Sequence, residues 1–316
     1  MIGYVINTHG MDLQVAFPSL ETLTIKHTKN LKIIWHDQLA EDSFFKLQSL
    51  FVKYCENLVN IFESNMLTRF QSLERLEVAY CGSLQEVFEL QRHDVKESHV
   101  TAIPLKRLIL GCLPKMKRVW NKDPQGIFSF QNLQEVSVWE CESLNSLFPA
   151  SVARFVMQLE NLHILVPSSI SFQNLANLEI WKCHGCINLV TSSTAKSLLQ
   201  LKKMSVSECE RITDVVTGEG GEASEVITLT QLTYLKLDCL LNLSSFCSIS
   251  YSFEFPSLEE VIVRQCPKMK TFSHGALGTP KLERVQATQE DEWHWKANLN
   301  TTIHWLWESK YNTTTQ

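Results

Sequence analysis

Ten segments of this chain repeat one apolar cadence, L-x-x-L-x-[LIV], usually followed by a cysteine and by another apolar residue three positions later. They start at Phe17 (FPSLETLTIKHTKNLKIIW), Phe45, Phe70, Pro104, Phe130, Phe172, Leu201, Leu232, Phe255 and, fading, Leu282. A unit this short cannot bury its apolar side alone, so the copies must stack into one continuous core. That constraint overrides the two globular domains, at ~150 residues each, that a length of 316 residues would suggest.

The pattern is that of a leucine-rich repeat. Within it, pairs such as Leu23/Ile25, Leu76/Val78, Leu108/Leu110, Leu178/Ile180 and Val261/Val263 alternate with polar residues, as in a short strand with one buried face. The predicted fold is a single α/β leucine-rich-repeat solenoid: a curved horseshoe with a parallel concave sheet and an irregular convex side.

Two further columns keep the repeat phase. Cys55, Cys81, Cys141, Cys183, Cys209 and Cys266 fall five residues after the second consensus position, and Cys112 and Cys239 fall four after it. A small apolar group with a weak S–H donor suits the turn that leaves a strand, so these thiols are expected to pack rather than react. Cys55 and Cys81 should be buried and unbridged. Aromatic spines are expected six residues before that position (Phe17, Phe44, Phe70, Phe130, Phe172, Phe255) and twelve after it (Trp35, Phe62, Phe88, Trp120, Phe148, then Val190, Val216 and Cys247).

The cadence FPSLExLxIxxCxxLxxIW, the phrase CHGCINLVTSSTAKSLLQLKKM and the phrase FEFPSLEEVIVRQCPKMKTFSHG resemble the leucine-rich-repeat region of plant intracellular disease-resistance proteins of the coiled-coil, nucleotide-binding type. The resemblance runs from about Phe17 to Ile303. It implies a non-enzymatic recognition module acting in defence and innate immunity. Its partners would be a pathogen effector or a guarded host protein, and the receptor's own nucleotide-binding domain, which such repeats hold inactive. It also implies a cytoplasmic location. No Walker A string, G-x-x-x-x-G-K-[ST], occurs here, and there is no heptad run. The resemblance therefore covers only the C-terminal repeat portion of such a receptor, and no cofactor is expected. The alternative is a leucine-rich-repeat adaptor or scaffold, such as a substrate-binding subunit of a ubiquitin ligase.

Composition narrows the rest. A net charge of −5 and a pI near 6.1 give no support to nucleic-acid binding. No apolar run of ~18 residues exists to span a bilayer. Neither a basic n-region nor an apolar h-region opens the chain, so a reduced setting is expected for its ten cysteines. Cys183-His-Gly-Cys186 lacks the second ligand pair that zinc requires, and Cys186 falls in the column of Leu58, Leu84, Leu144 and Ile212. The sequons at Asn242, Asn300 and Asn312 are not expected to carry glycan in that setting. No G-x-S-x-G elbow or phased histidine set supports catalysis.

Function is expected on the concave face, whose polar positions differ from repeat to repeat. The candidate protein-binding residues are Phe51, Arg75, Lys106, Arg107, Trp139, Trp181, Lys202, Lys203, Tyr234 and Arg264. Aromatics flanked by charge at exposed strand phase are what protein interfaces use as anchors. Two acidic loops, Glu89–His99 and Thr217–Glu225, should protrude at one edge.

Residues 1–16 are expected to precede the array, 17–287 to form it, and 288–316 to cap its last layer. Asn300 or Thr301 should start a short cap helix with Ile303, Leu306 and Trp307 on one face. Helices are also expected to lead the repeats at Leu73, Leu159 and Leu201. Between Leu159 and Leu175 only 16 residues separate two consensus leucines, so 159–175 should be a shortened junction with a poorly packed strand at Leu162–Ile164.

Overall fold

The computed structural model describes residues 3–4, 17–35, 40, 42–63, 69–89, 101–119, 128–145, 147, 172–218, 226–287 and 292–311. Two compact units result: residues 1–144 with 149–172, and residues 173–316 with 145–148. The shortened junction, the acidic loops beyond Glu89 and Gly218, Trp120, Phe148, and the helices expected before Leu73 and Leu159 lie outside the described residues.

Each of the ten sequence repeats supplies one ladder strand. The N-terminal unit contains β1 (Thr22–Lys26), β2 (Ser49–Lys53), β3 (Arg75–Ala79), β4 (Arg107–Gly111) and β5 (Glu135–Trp139). The C-terminal unit contains β6 (Asn177–Trp181), β7 (Lys203–Ser207), β8 (Tyr234–Asp238), β9 (Glu260–Arg264) and β10 (Val285–Gln286). Within each unit neighbours pair in parallel and in register: Leu23, Leu50, Leu76, Leu108 and Val136 form one row, and Leu178, Met204, Leu235, Val261 and Val285 another. The second and fourth residues of β2 to β9 are buried, and their polar neighbours point outward, as period-2 alternation demands. These are leucine-rich-repeat solenoids.

The aromatic spines are present and interlock. Phe62 stacks between Trp35 (6.2 Å) and Phe88 (5.6 Å), while Phe70 meets its edge at 5.0 Å. In the C-terminal unit the aromatic shifts one position earlier. Phe246 and Phe272 stack at 4.9 Å in a column also filled by Ile34, Ile61, Val87, Leu189 and Val215. The first ring, Phe17, is the exception, 55% exposed with no earlier repeat over it among the described residues.

The return side carries the helix expected before Leu201. Its described helix is α1 (Ser192–Ser197), capped by Thr191, whose hydroxyl accepts from the Thr194 amide. The other described return segments include two- and three-residue parallel pairs, such as Phe62–Glu63 with Phe88–Glu89, and Val226–Thr228 with Ser252–Glu254. Aromatic and β-branched residues in these segments favour extended backbone. Gly3–Tyr4 pairs likewise with Leu31–Ile33.

Strands β1 to β9 each leave the ladder through a residue with positive φ, and none of these residues is glycine. His27, Tyr54, Tyr80, Cys112 and Glu140 occupy this position in one unit; Lys182, Glu208, Cys239 and Gln265 occupy it in the other, with φ from 49° to 58°. A left-handed residue costs about 1 kcal/mol or more. Inter-strand bonds compensate: the Tyr54 amide donates to Ala79 O, Tyr80 to Gly111 O, and Cys239 to Arg264 O, at 3.0–3.1 Å. In six of the nine the next residue is the phased cysteine; after His27, Cys112 and Cys239 it is Thr28, Leu113 and Leu240. The phased thiol turns back to donate to the carbonyl two residues earlier, as Cys55 does to Lys53, Cys81 to Ala79 and Cys209 to Ser207.

This corrects the reading of Cys112 and Cys239. They are not displaced members of the buried column but occupants of the left-handed position, half-exposed, with thiols directed to Glu140 (3.1 Å) and Gln265 (2.8 Å). The other eight cysteines are buried, and all ten are unbridged. Burial pushes Cys209 and Cys266 up to about 12 and Cys186 well above the usual thiol range. Cys55 is lowered by the hydrogen bond it shares with the Cys81 thiol. Alkylation of the native chain should therefore mark Cys112 and Cys239 and spare the other eight, as read by peptide mass mapping. Comparable labelling of Cys209 or Cys266 under native conditions would refute this packing assignment.

The C-terminal segment closes the last strands. β11 (Trp293–His294) pairs antiparallel to β10, and α2 (Leu299–Tyr311) buries Leu299, Thr302, Ile303 and Leu306. The helix starts two or three residues earlier than the sequence suggested. Asn298 is the N-cap, its side-chain oxygen accepting from the Thr301 amide at 2.9 Å.

Candidate functional site

The outward faces of the two strand ladders hold eight of the ten candidate residues, and Lys106 and Lys202 stand one residue before β4 and β7. A ladder strand presents its first, third and fifth residues outward. In the N-terminal unit the third positions run Thr24, Phe51, Glu77, Ile109 and Ser137, and the fifth run Lys26, Lys53, Ala79, Gly111 and Trp139.

Phe51 is half-buried, with the Arg75 guanidinium 5.2 Å from its ring centroid. Arg75 also reaches Glu77 at 3.4 Å, and Lys53 pairs with the same carboxylate. Lys106 bonds Glu74 at 2.6 Å, and Arg107 bonds Glu135 at 3.0 Å. Charges on adjacent strands thus neutralise each other across this ladder.

Trp139 is not the freely exposed anchor that strand phase suggested. Gly111 is its in-register partner, and a Cβ placed on Gly111 would run into the Trp139 indole. Gly111 leaves a trough, and the ring lies down in it, half-buried. Here the absence of a side chain serves close approach, not backbone freedom.

In the C-terminal unit, Trp181 is half-buried and donates its Nε1–H to Glu208 at 2.9 Å, with the Lys182 ammonium 4.4 Å from its ring centroid. Tyr234 stands in register between Lys203 and Glu260, half-buried, and desolvation raises its phenol. Lys202 and Lys203 are exposed; Arg264 is half-buried, and its Nε lacks a hydrogen-bond partner. Lys236 is satisfied by Asp238 at 3.3 Å.

Strand phase did not mark one surface feature. Beside the N-terminal face, the left-handed residues His27, Tyr54 and Tyr80 stack ring on ring at 4.7 and 4.6 Å, and both tyrosines are exposed. Their equal spacing from the consensus leucines was the available signal. Cys183 and Cys186 of the C-x-x-C string are core residues, and no cluster of metal-ligating side chains occurs among the described residues. No described helix is long and apolar enough to cross a membrane.

The sequence matches the family described as plant disease resistance protein RPS2-like, leucine-rich repeats, over residues 19–167 and 165–283. The chain belongs to this family. With RPS2-like repeats comes a protein-interaction role in disease resistance. No curated protein matches the chain. Among solved structures, a leucine-rich repeat protein from Bacteroides ovatus is 13% identical, with 85% of this chain and 72% of that one covered, at a TM-score of 0.22. The pneumococcal vaccine antigen PcpA is 11% identical, with 86% and 69% covered, at a TM-score of 0.21.

Proposed function

We propose that the outward strand face of these RPS2-like repeats binds a partner protein, a pathogen effector or a guarded host protein. We propose further that through this contact the chain regulates a nucleotide-binding domain, as a non-enzymatic module. The observation that carries the reading is the contrast between the two sides of each strand. The inward positions are uniform aliphatics in register, whereas the outward positions hold a different side chain at almost every rung, with Phe51, Trp139, Trp181 and Tyr234 among them. Packing alone gives no reason for that variety, and half-exposed aromatics beside charge are the residues interfaces rely on.

A photo-crosslinking residue at Trp181 or Tyr234, in plant cells, should capture a protein that the same residue at Lys268, in the exposed turn after β9, does not. Changing Trp139 and Trp181 together to alanine should weaken that complex by ~2 kcal/mol or more while leaving folding nearly intact. Of the two, Trp139, lying on Gly111, should move stability more. Identical capture from Lys268, or a collapse of thermal stability without these rings, would sink the reading.

A further inference from the structure

The opening rows of strands β6 to β9 carry an unbalanced arrangement of charge. In register, the first positions are Asn177, Lys203, Tyr234 and Glu260. One residue earlier stand Ala176, Lys202, Thr233 and Glu259. Two adjacent lysines therefore lie one strand to one side of Tyr234, and two adjacent glutamates lie one strand to the other.

Paired strands are ~4.8 Å apart, so the two doublets are separated by roughly 10 Å, with a whole strand between them. Opposite charges on adjacent strands of the N-terminal unit, Lys106 with Glu74 and Arg107 with Glu135, reach each other at 2.6 and 3.0 Å. Here they cannot. Lys202, Lys203 and Glu259 are exposed and Glu260 is half-buried, and none of the four has an ion pair or side-chain hydrogen bond among the described residues. Arg284, the next cation beyond Glu260, lies over the Trp293 ring at 4.4 Å. Lys236 is held by Asp238, and Arg264 sits four residues along β9 from Glu260.

We propose that this lysine–tyrosine–glutamate row docks an extended segment of the partner protein, running across the strands and carrying an acidic and a basic residue three positions apart. Extended chain advances ~3.3 Å per residue, so three residues span the roughly 10 Å between the doublets. The acid meets Lys202 and Lys203, the base meets Glu259 and Glu260, and the residues between lie on the Tyr234 ring. This rests on the recognition reading above and assigns the chemistry of its partner.

The test uses the whole chain and fluorescein-labelled peptides in which two prolines hold the spacing extended, Gly-Asp-Pro-Pro-Arg-Gly, with Asp/Asp and Arg/Arg counterparts, read by fluorescence polarisation. The native chain should prefer the mixed peptide by about tenfold or more, and lose that binding as salt rises from about 50 to 300 mM. Lys202→Glu with Lys203→Glu should turn the preference to the Arg/Arg peptide; Glu259→Lys with Glu260→Lys should turn it to the Asp/Asp peptide. Equal affinity of the native chain for all three peptides overturns the proposal, and that comparison needs no variant to fold. An unchanged order of preference in both charge-reversed chains, with native melting curves, overturns it too. If the protein captured from Trp181 still binds both reversed chains as tightly as native, the charge assignment fails while the recognition reading stands.

Discussion

Replacing Phe62 by alanine should lower the stability of the N-terminal unit by about 3–5 kcal/mol, the range for deleting a fully buried aromatic side chain. Phe62 is 0% exposed and sits mid-column, in ring contact with Trp35, Phe70 and Phe88. A repeat array offers no distant part of the core to compensate, because each rung touches only its neighbours. The cavity would open between three aromatic rings whose strands are fixed by ladder bonds, which leaves little room for collapse. Phe17→Ala is the matched control: the same residue type on the neighbouring spine, 55% exposed, should change stability by well under 1 kcal/mol. Chemical denaturation followed by tryptophan emission, to which Trp35 contributes at 5.2 Å from Phe44 and 6.2 Å from Phe62, would read both variants. Equal midpoints for Phe62→Ala and Phe17→Ala would mean that the spine does not support the array.

The features legible in the sequence are those with period 2 or with one residue type per repeat. Leu50/Val52 and Leu235/Leu237 show their burial by alternation, and Cys55, Cys81 and Cys209 show theirs by recurrence. What escaped is set by neighbours rather than by local preference. His27, Tyr54 and Glu208 adopt a conformation that glycine or asparagine would ordinarily mark, because an amide-to-carbonyl bond to the next strand fixes it. Cys112 and Cys239 were misplaced for that reason: one residue's difference in phase exchanges a core position for the left-handed one. The short return pairs span too few residues to display any period. The resting place of Trp139 became visible only once the register set it opposite Gly111. Among the surface candidates, residue type and outward phase were legible, but satisfaction was not: whether Lys106 or Lys202 has a partner depends on which strand lies beside it.

The same dependence on neighbours governs the cap, where the second large effect is expected. Asn300 was a candidate for starting the last helix; in the structure Asn298 does so, and Asn300 joins the helix to the preceding turn. Its Oδ1 accepts from the amides of Phe272 (2.9 Å) and Ser273 (3.0 Å) and from the Thr271 hydroxyl (3.0 Å), while its Nδ2 donates to Ser273 O at 3.0 Å. One side chain thus satisfies two amides, a hydroxyl and a carbonyl at the edge of the core that Leu299 and Ile303 cover. Asn300→Ala should cost about 3 kcal/mol, because each part-buried group left unpaired costs ~1 kcal/mol or more. Asn300→Asp keeps the acceptor and loses the donor, so it should cost less. Asn298→Ala removes an ordinary helix cap and should cost about 1 kcal/mol. Denaturant midpoints would rank the three variants, and hydrogen exchange would locate the loss in residues 299–311. If Asn300→Ala proves no more costly than Asn298→Ala, the helix is held by its apolar face alone, and these four hydrogen bonds are dispensable.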